Sequence, residues 1–164
     1  NFTPRLHGNR CPLEDPNAAG MFFNIRLNVG KTEVIRAVAE GICFHMRWML
    51  ERQEVKTAKY QKAKTVRCCG GGAWGETTCQ ILADILQRDV VVVESPQNIG
   101  AVGAAACIAV GMGAIPSIFD VKKLIPVKTT YKPNPANKAV YDRNFKVFKN
   151  LYKANNENFA ILNG

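Results

Sequence analysis

Residues 65–86, TVRCCGGGAWGETTCQILADIL, place two adjacent thiols, Cys68 and Cys69, directly before Gly70, Gly71 and Gly72. Three chemistries suit such a stretch: thiol redox or metal work, a backbone cradle for phosphate, or plain tight packing. Zinc sites draw on CxxC pairs or Cys/His clusters, and a vicinal pair with His7 and His45 far off in sequence supplies neither, so no metal is expected. Glycines between a buried strand and a helix leave backbone N–H groups unblocked beside the positive end of the helix dipole, which suits a phosphate or a nucleotide. The P-loop pattern GxxxxGK[ST] is missing. The dinucleotide pattern GxGxxG is matched literally by Gly70, Gly72 and Gly75, with Glu94 about 20 residues on, where a ribose-binding acid would stand. That fold needs several further parallel strands, however, and after the helix at 99–115 only the proline-interrupted KLIPVKTTY could serve as one. On the residues alone, nucleotide binding and tight strand–helix packing explain the glycines about equally well.

The elements that position this turn follow from pattern. TVRCC reads as a strand with CC at its buried end, residues 76–88 as a helix with Ile81, Leu82, Ile85 and Leu86 on its core face, and DVVVVE (89–94) as a strand covered on both faces. Together they make a βαβ unit. Upstream, residues 1–20 are punctuated by proline and glycine and read as a turn-rich loop, with a short strand within 20–27. A long helix over 32–52 is expected to bury Val34, Ile35, Val38, Ile42, Met46 and Met49, with Glu33 at its positive end. Gly41 in its middle costs roughly 1 kcal/mol of helix propensity relative to alanine, which points to another backbone passing close by. His45 on this helix reads as a core or partly exposed histidine. The lysine-rich segment 54–64 joins the helix to the strand. Downstream, 99–115 is rich in small residues and reads as a core helix lying close to its neighbour. The last helix has Asn134 as N-cap, Pro135 at its first position, and Tyr141, Phe145, Phe148 and Tyr152 on one packed face.

Composition narrows the class. At 164 residues with 47% hydrophobic residues the chain can form one domain with a sizeable core. Six cysteines in a helix-rich, apolar chain read as reduced thiols rather than a disulfide scaffold, and no run reaches the roughly 18 apolar residues of a membrane span. A cytoplasmic address is the default, with no membrane partner. The net charge of +9 is dispersed, without an arginine-rich helix or an aromatic-interleaved motif, so no nucleic-acid partner is expected. The chain opens without Met on a segment that already reads as structured, which suggests part of a longer product.

Several motifs occur together and in order: GNRCPLEDPNAAGMFFNI, EVIRAVAEGICFHMRWMLE, GGGAWGETTCQILADIL and GAVGAAACIAVGMG, followed by an aromatic C-terminal helix. They resemble the C-terminal part of FGGY-family carbohydrate kinases, xylulokinases most of all, over nearly the whole chain. The resemblance implies an α/β fold: a partial actin-like ATPase (ribonuclease-H-like) domain with helices packed on a mixed sheet. It reads residues 1–164 as a C-terminal segment of the nucleotide-binding domain, with the N-terminal domain and the start of the C-terminal domain outside the chain.

By the same resemblance Gly70, Gly71, Gly72 and Ala73 lie against the adenosine and α-phosphate of ATP, and Glu76 falls at the adenine pocket. ATP with Mg²⁺ and a sugar, a ketose or polyol, are the implied partners, and the reaction is transfer of the γ-phosphoryl group to a sugar hydroxyl, D-xylulose to D-xylulose 5-phosphate. The catalytic aspartate of such kinases belongs to the missing half. Asp15, Asp84, Asp89 and Asp120 fit turns or exposed helix positions, so this chain alone is expected to be inactive. Asn24 stands where the family's GxFxG pattern has its second glycine, and asparagine tolerates the left-handed backbone such a turn needs. A non-catalytic actin-like assembly domain is the competing reading, and the oligomeric state is left open, a homodimer included.

Overall fold

The computed structural model describes residues 1–57 and 63–164. Among the described residues five short strands and four α-helices follow one another: β1 (Phe2–Thr3), β2 (Met21–Phe22), α1 (Lys31–Lys56), β3 (Thr65–Cys68), α2 (Glu76–Leu86), β4 (Asp89–Val93), α3 (Ile99–Gly111), β5 (Val127–Tyr131) and α4 (Lys138–Asn163). They sort into two compact units. The first gathers residues 1–57 with Asp84–Gln87 and Asn134–Gly164, and the second holds Ala63–Ala83 and Arg88–Pro133. Residues 58–62 of the lysine-rich connection lie outside the described residues.

The first unit is built on rings. Along α4, Tyr141, Phe145, Phe148 and Tyr152 are all buried, as their 4, 3, 4 spacing predicts. Phe44 of α1 meets Phe148 at 5.7 Å and Phe145 at 6.0 Å between ring centroids, and Trp48 meets Phe148 edge-on at 6.2 Å. These rings decide which side of α1 turns inward. The buried positions are Gly41, Cys43, Phe44 and Trp48, whereas Ile35 is 60% exposed and Ile42 and Met46 are also exposed. The expected aliphatic stripe is therefore wrong, because two aromatic side chains bury more area than the aliphatic line beside them.

Gly41 does mark a close approach. A Cβ there would stand 2.3 Å from the Phe2 carbonyl oxygen of β1. The first 20 residues are more ordered than a loop: β1 pairs antiparallel with β2, and Asn9 and Asp15 exchange backbone hydrogen bonds of 2.8 and 2.7 Å. Asn24 takes the left-handed conformation, φ 62°. At the start of α1 the Glu33 carboxylate accepts from the Gly30 N–H at 3.0 Å, a capping contact that also complements the helix dipole. The Asn134 side chain accepts from Ala136 N–H at 3.0 Å, but the turn it caps is a 3₁₀ turn, Pro135–Asn137, and α4 proper begins at Lys138.

The second unit is a three-stranded sheet in the order β3-β4-β5. β3 and β4 run parallel, joined through α2 as the βαβ pattern predicts, and β5 lies antiparallel to β4 with an irregularity between Val92 and Val93. The sheet is therefore mixed. Val90 to Val93 are all buried, as a continuous apolar strand with a neighbour on each edge should be. The helix expected to be core, α3, is not: among its residues only Ala106 is buried, and Ile108 and Met112 at its end are 63% and 80% exposed. A Cβ at Gly100, Gly103 or Gly111 would meet nothing within 4 Å. The small-residue pattern prepares a close contact that no described residue supplies.

Candidate functional site

At the end of β3 the chain reverses into α2 through the glycine turn. Gly70 has φ 82°, a conformation that a Cβ would strain, and its N–H donates to the Pro96 carbonyl at 2.8 Å. Gly71–Trp74 form a 3₁₀ turn closed by Ala73 N–H donating to Gly70 O at 3.2 Å. Gly71 and Gly72 head that turn, where a helix leaves its own N–H donors unused, and a Cβ on either would meet nothing within 4 Å. Glu76 is exposed in the first turn of α2.

The five expected site residues thus stand together along one strand–turn–helix junction, with divided parts. Gly71 and Gly72 present open backbone, Gly70 and Ala73 hold the turn's shape, and Glu76 adds a carboxylate beside it. Such a junction can receive a phosphate or ribose edge against its N–H groups.

Beneath the turn, Ala73 packs with buried Cys79 and Val92, flanked by Cys68 and Tyr131. The Cys79 thiol donates to the Ala73 carbonyl at 3.8 Å, a weak bond that anchors the turn from below. Burial, with the neighbouring Cys68 thiol second, pushes Cys79 up to about 11. Burial likewise raises Cys68. The Tyr131 phenol is raised by burial and then by negative charge on Cys79 and Glu76. The expectation of a buried CC end is only half met: Cys68 is half-buried and Cys69 exposed, because successive strand residues face opposite sides. The anchoring roles of Pro96, Cys79 and Tyr131 have no signal in the sequence beyond the Ser-Pro turn and the apolar neighbourhood.

The acidic residues are structural. Asp84 is not at an exposed helix position but 5% exposed, and it accepts from Asn134 N–H at 2.8 Å and Asn137 Nδ2 at 2.7 Å. Asp15 accepts from the Tyr152 hydroxyl at 3.0 Å, Asp120 from Lys123 Nζ at 2.7 Å, and Asp89 sits in β4 paired with Thr65 rather than in a turn. Among the described residues no group of three or more His, Cys, Asp and Glu side chains could hold a metal ion, and no helix is long and apolar enough to cross a membrane. Glu94 is exposed after β4, but the third strand of the sheet is antiparallel, unlike the parallel neighbours that a dinucleotide fold requires.

The first unit holds a buried cation. Arg5 is 1% exposed, its guanidinium lies 4.7 Å from the Tyr152 ring and 5.4 Å from the Phe148 ring, and its nitrogens have no hydrogen-bond partner among the described residues. Burial, with the Arg5 charge second, lowers the pKa of His45 below its usual 6.5. The folded state therefore resists a proton that the unfolded chain accepts. Stability should be full above pH 6.5 and lost as pH falls from there through the lower folded-state value. Urea unfolding at pH 8 and pH 5 checks this: His45→Gln is expected to lose less stability across that interval than the unaltered chain.

The chain resembles known proteins over nearly its whole length. Residues 1–112 match the model of the FGGY family of carbohydrate kinases, C-terminal domain. The chain is 33% identical over 158 residues to a xylulose kinase of Lactococcus lactis, covering 95% of this chain and 31% of that protein. It is 29% identical to a gluconokinase of Bacillus licheniformis, covering 99% and 31% respectively. A ligand-bound xylulose kinase structure from Lactobacillus acidophilus superposes with a TM-score of 0.87 at 24% identity, over 98% of this chain and 32% of that one. The chain spans about a third of the length of the curated relatives it matches.

Proposed function

The chain belongs to the FGGY family of carbohydrate kinases, and from that membership we propose that it is the nucleotide-binding C-terminal part of an ATP-dependent sugar kinase. In the complete enzyme a sugar hydroxyl attacks the γ-phosphorus of ATP, ADP leaves, and the hydroxyl proton passes to a base that this segment does not provide. Asp84 and Asp15, each committed to hydrogen bonds within the fold, are unsuited to that work. Mg²⁺ would arrive with the nucleotide and neutralise its phosphates. The bare face of α3 supports a larger protein, since further polypeptide packed there would cover it.

The observation that carries the reading is the open turn at Gly71 and Gly72, heading a 3₁₀ turn and then α2, with room for a ligand where any other residue would place a side chain. Gly70, Gly71, Gly72 and Ala73 receive the adenosine and α-phosphate. Glu76 suits a ribose hydroxyl or the adenine amino group better than a phosphate, since a carboxylate accepts hydrogen bonds and repels anions. D-xylulose is the proposed acceptor because xylulose kinases recur among the relatives; gluconate is the competitor because gluconokinases recur too. Cytoplasmic location follows from this reading.

Titrating ATP·Mg²⁺ into the parent kinase should shift the amide signals of Gly70–Ala73. Gly71→Val, which fills the open space, should weaken ATP at least tenfold, about 1.4 kcal/mol. A coupled ADP-release assay over ketoses, polyols and gluconate identifies the acceptor. Unmoved amides at saturating ATP would rule out the nucleotide reading in favour of an assembly domain.

A further inference from the structure

Three sulfurs gather under and beside the glycine turn, and the nucleotide reading uses none of them. Cys79, 1% exposed, gives its single thiol proton to the Ala73 carbonyl at 3.8 Å, and Cys68 packs against the same cluster. Cys68 and Cys79 share this one packed cluster beneath the turn. Both are free thiols. One sulfur ends β3, the other lies in the first turns of α2, and the turn Gly71–Trp74 spans the chain between them. Cys69, the residue after β3, is exposed.

We propose that Cys68 and Cys79 are a redox pair: a disulfide oxidant joins them, and the new bond reshapes the Gly70–Ala73 turn. In the first step the half-buried Cys68 thiolate attacks one sulfur of an oxidant RSSR. A Cys68–SR bond forms, and the departing RS⁻ takes up the proton that Cys68 released. Cys79, deprotonated in turn, attacks the Cys68 sulfur and expels the second RS⁻, which takes the Cys79 proton. Two protein thiols are oxidised and one RSSR is reduced to two RSH.

Closing that bond sets the two sulfurs about 2.05 Å apart and removes the thiol proton that Ala73 accepts. The anchor of the turn is lost while β3 and α2 are tied at its two ends. Burial keeps both thiols protonated at neutral pH, so exchange is slow and the pair stays reduced until an oxidant persists. That loss of nucleotide affinity follows rests on the nucleotide reading above; the reshaping of the turn does not.

The test treats the 164-residue chain with excess oxidised glutathione, followed by differential alkylation and fragment mass spectrometry. A Cys68–Cys79 bond is expected in the unaltered chain and in Cys69→Ser, and is expected to vanish in Cys68→Ser, whose half-buried position tolerates the change. Without any nucleotide, the amides of Gly70–Ala73 should shift on oxidation and return on reduction. ATP should then bind the oxidised parent kinase at least tenfold more weakly than the reduced one. Crosslinks only through Cys69, Cys11 or Cys107, or a Cys68–Cys79 bond with unmoved turn amides, overturn the proposal. A reduced parent kinase whose turn amides ignore ATP, together with a turn that shifts on oxidation, refutes the nucleotide reading and leaves the redox pair standing.

Discussion

Phe148→Ala is expected to lower the unfolding free energy by about 3–5 kcal/mol, the usual cost of emptying a fully buried aromatic site. Phe148 is completely buried and touches three other rings, Phe44, Trp48 and Phe145. It also forms one wall of the space that holds the Arg5 guanidinium. Removing the ring therefore opens a cavity and strips a buried charge of one of the few groups that favour it, since a cation over an aromatic face is attracted to the ring's quadrupole. Urea unfolding followed by fluorescence and circular dichroism measures the loss; a midpoint within experimental error of the unaltered chain would show that this ring cluster does not hold the unit together.

Gly41→Ala should destabilise the chain by about 1–3 kcal/mol, the range for overpacking a filled site. The sign is informative, because alanine is the better helix former by roughly 1 kcal/mol and the same change in an uncrowded helix stabilises. At Gly41 the added methyl would stand 2.3 Å from a backbone oxygen of β1, so either the strand moves or the helix does. Gly103→Ala in α3 is the matched control, since its methyl would meet nothing within 4 Å. Opposite changes in the unfolding midpoint are expected from the two variants. Two stabilised proteins would mean that β1 yields freely and that the contact at Gly41 is not a constraint.

What could be read from residue order alone was mostly local. The βαβ unit followed from continuous valines and the strand–glycine–helix order, the aromatic face of α4 from its spacing, and the close backbone at Gly41 from the cost of glycine in a helix. The buried face of α1 was not legible, because its aliphatic and aromatic lines are both plausible helical stripes and only the rings of α4, about a hundred residues away in sequence, choose between them. The exposure of α3 was not legible either: its small residues encode a close neighbour without saying where that neighbour lies. Asp84 looked like a surface carboxylate because its partners, Asn134 and Asn137, come from a distant turn. At the candidate site the glycines located the turn, while the bond from Gly70 to Pro96 and the thiol under Ala73 depend on folding and could not be counted beforehand.

The first unit is discontinuous, and that has a consequence in time. Arg36 of α1 reaches the Tyr141 hydroxyl across 105 residues of sequence, and the rings of the two helices meet over a similar separation. At a synthesis rate of about 5–20 residues per second, α1 leaves the ribosome roughly 5–20 s before its partner helix exists. For that interval Phe44 and Trp48 have no aromatic face to pack against, while the second unit, local in sequence, is made within it and has all its strands before α4 is complete. The nascent chain should therefore hold its βαβ sheet early and depend on chaperones to shelter α1 until the last helix emerges.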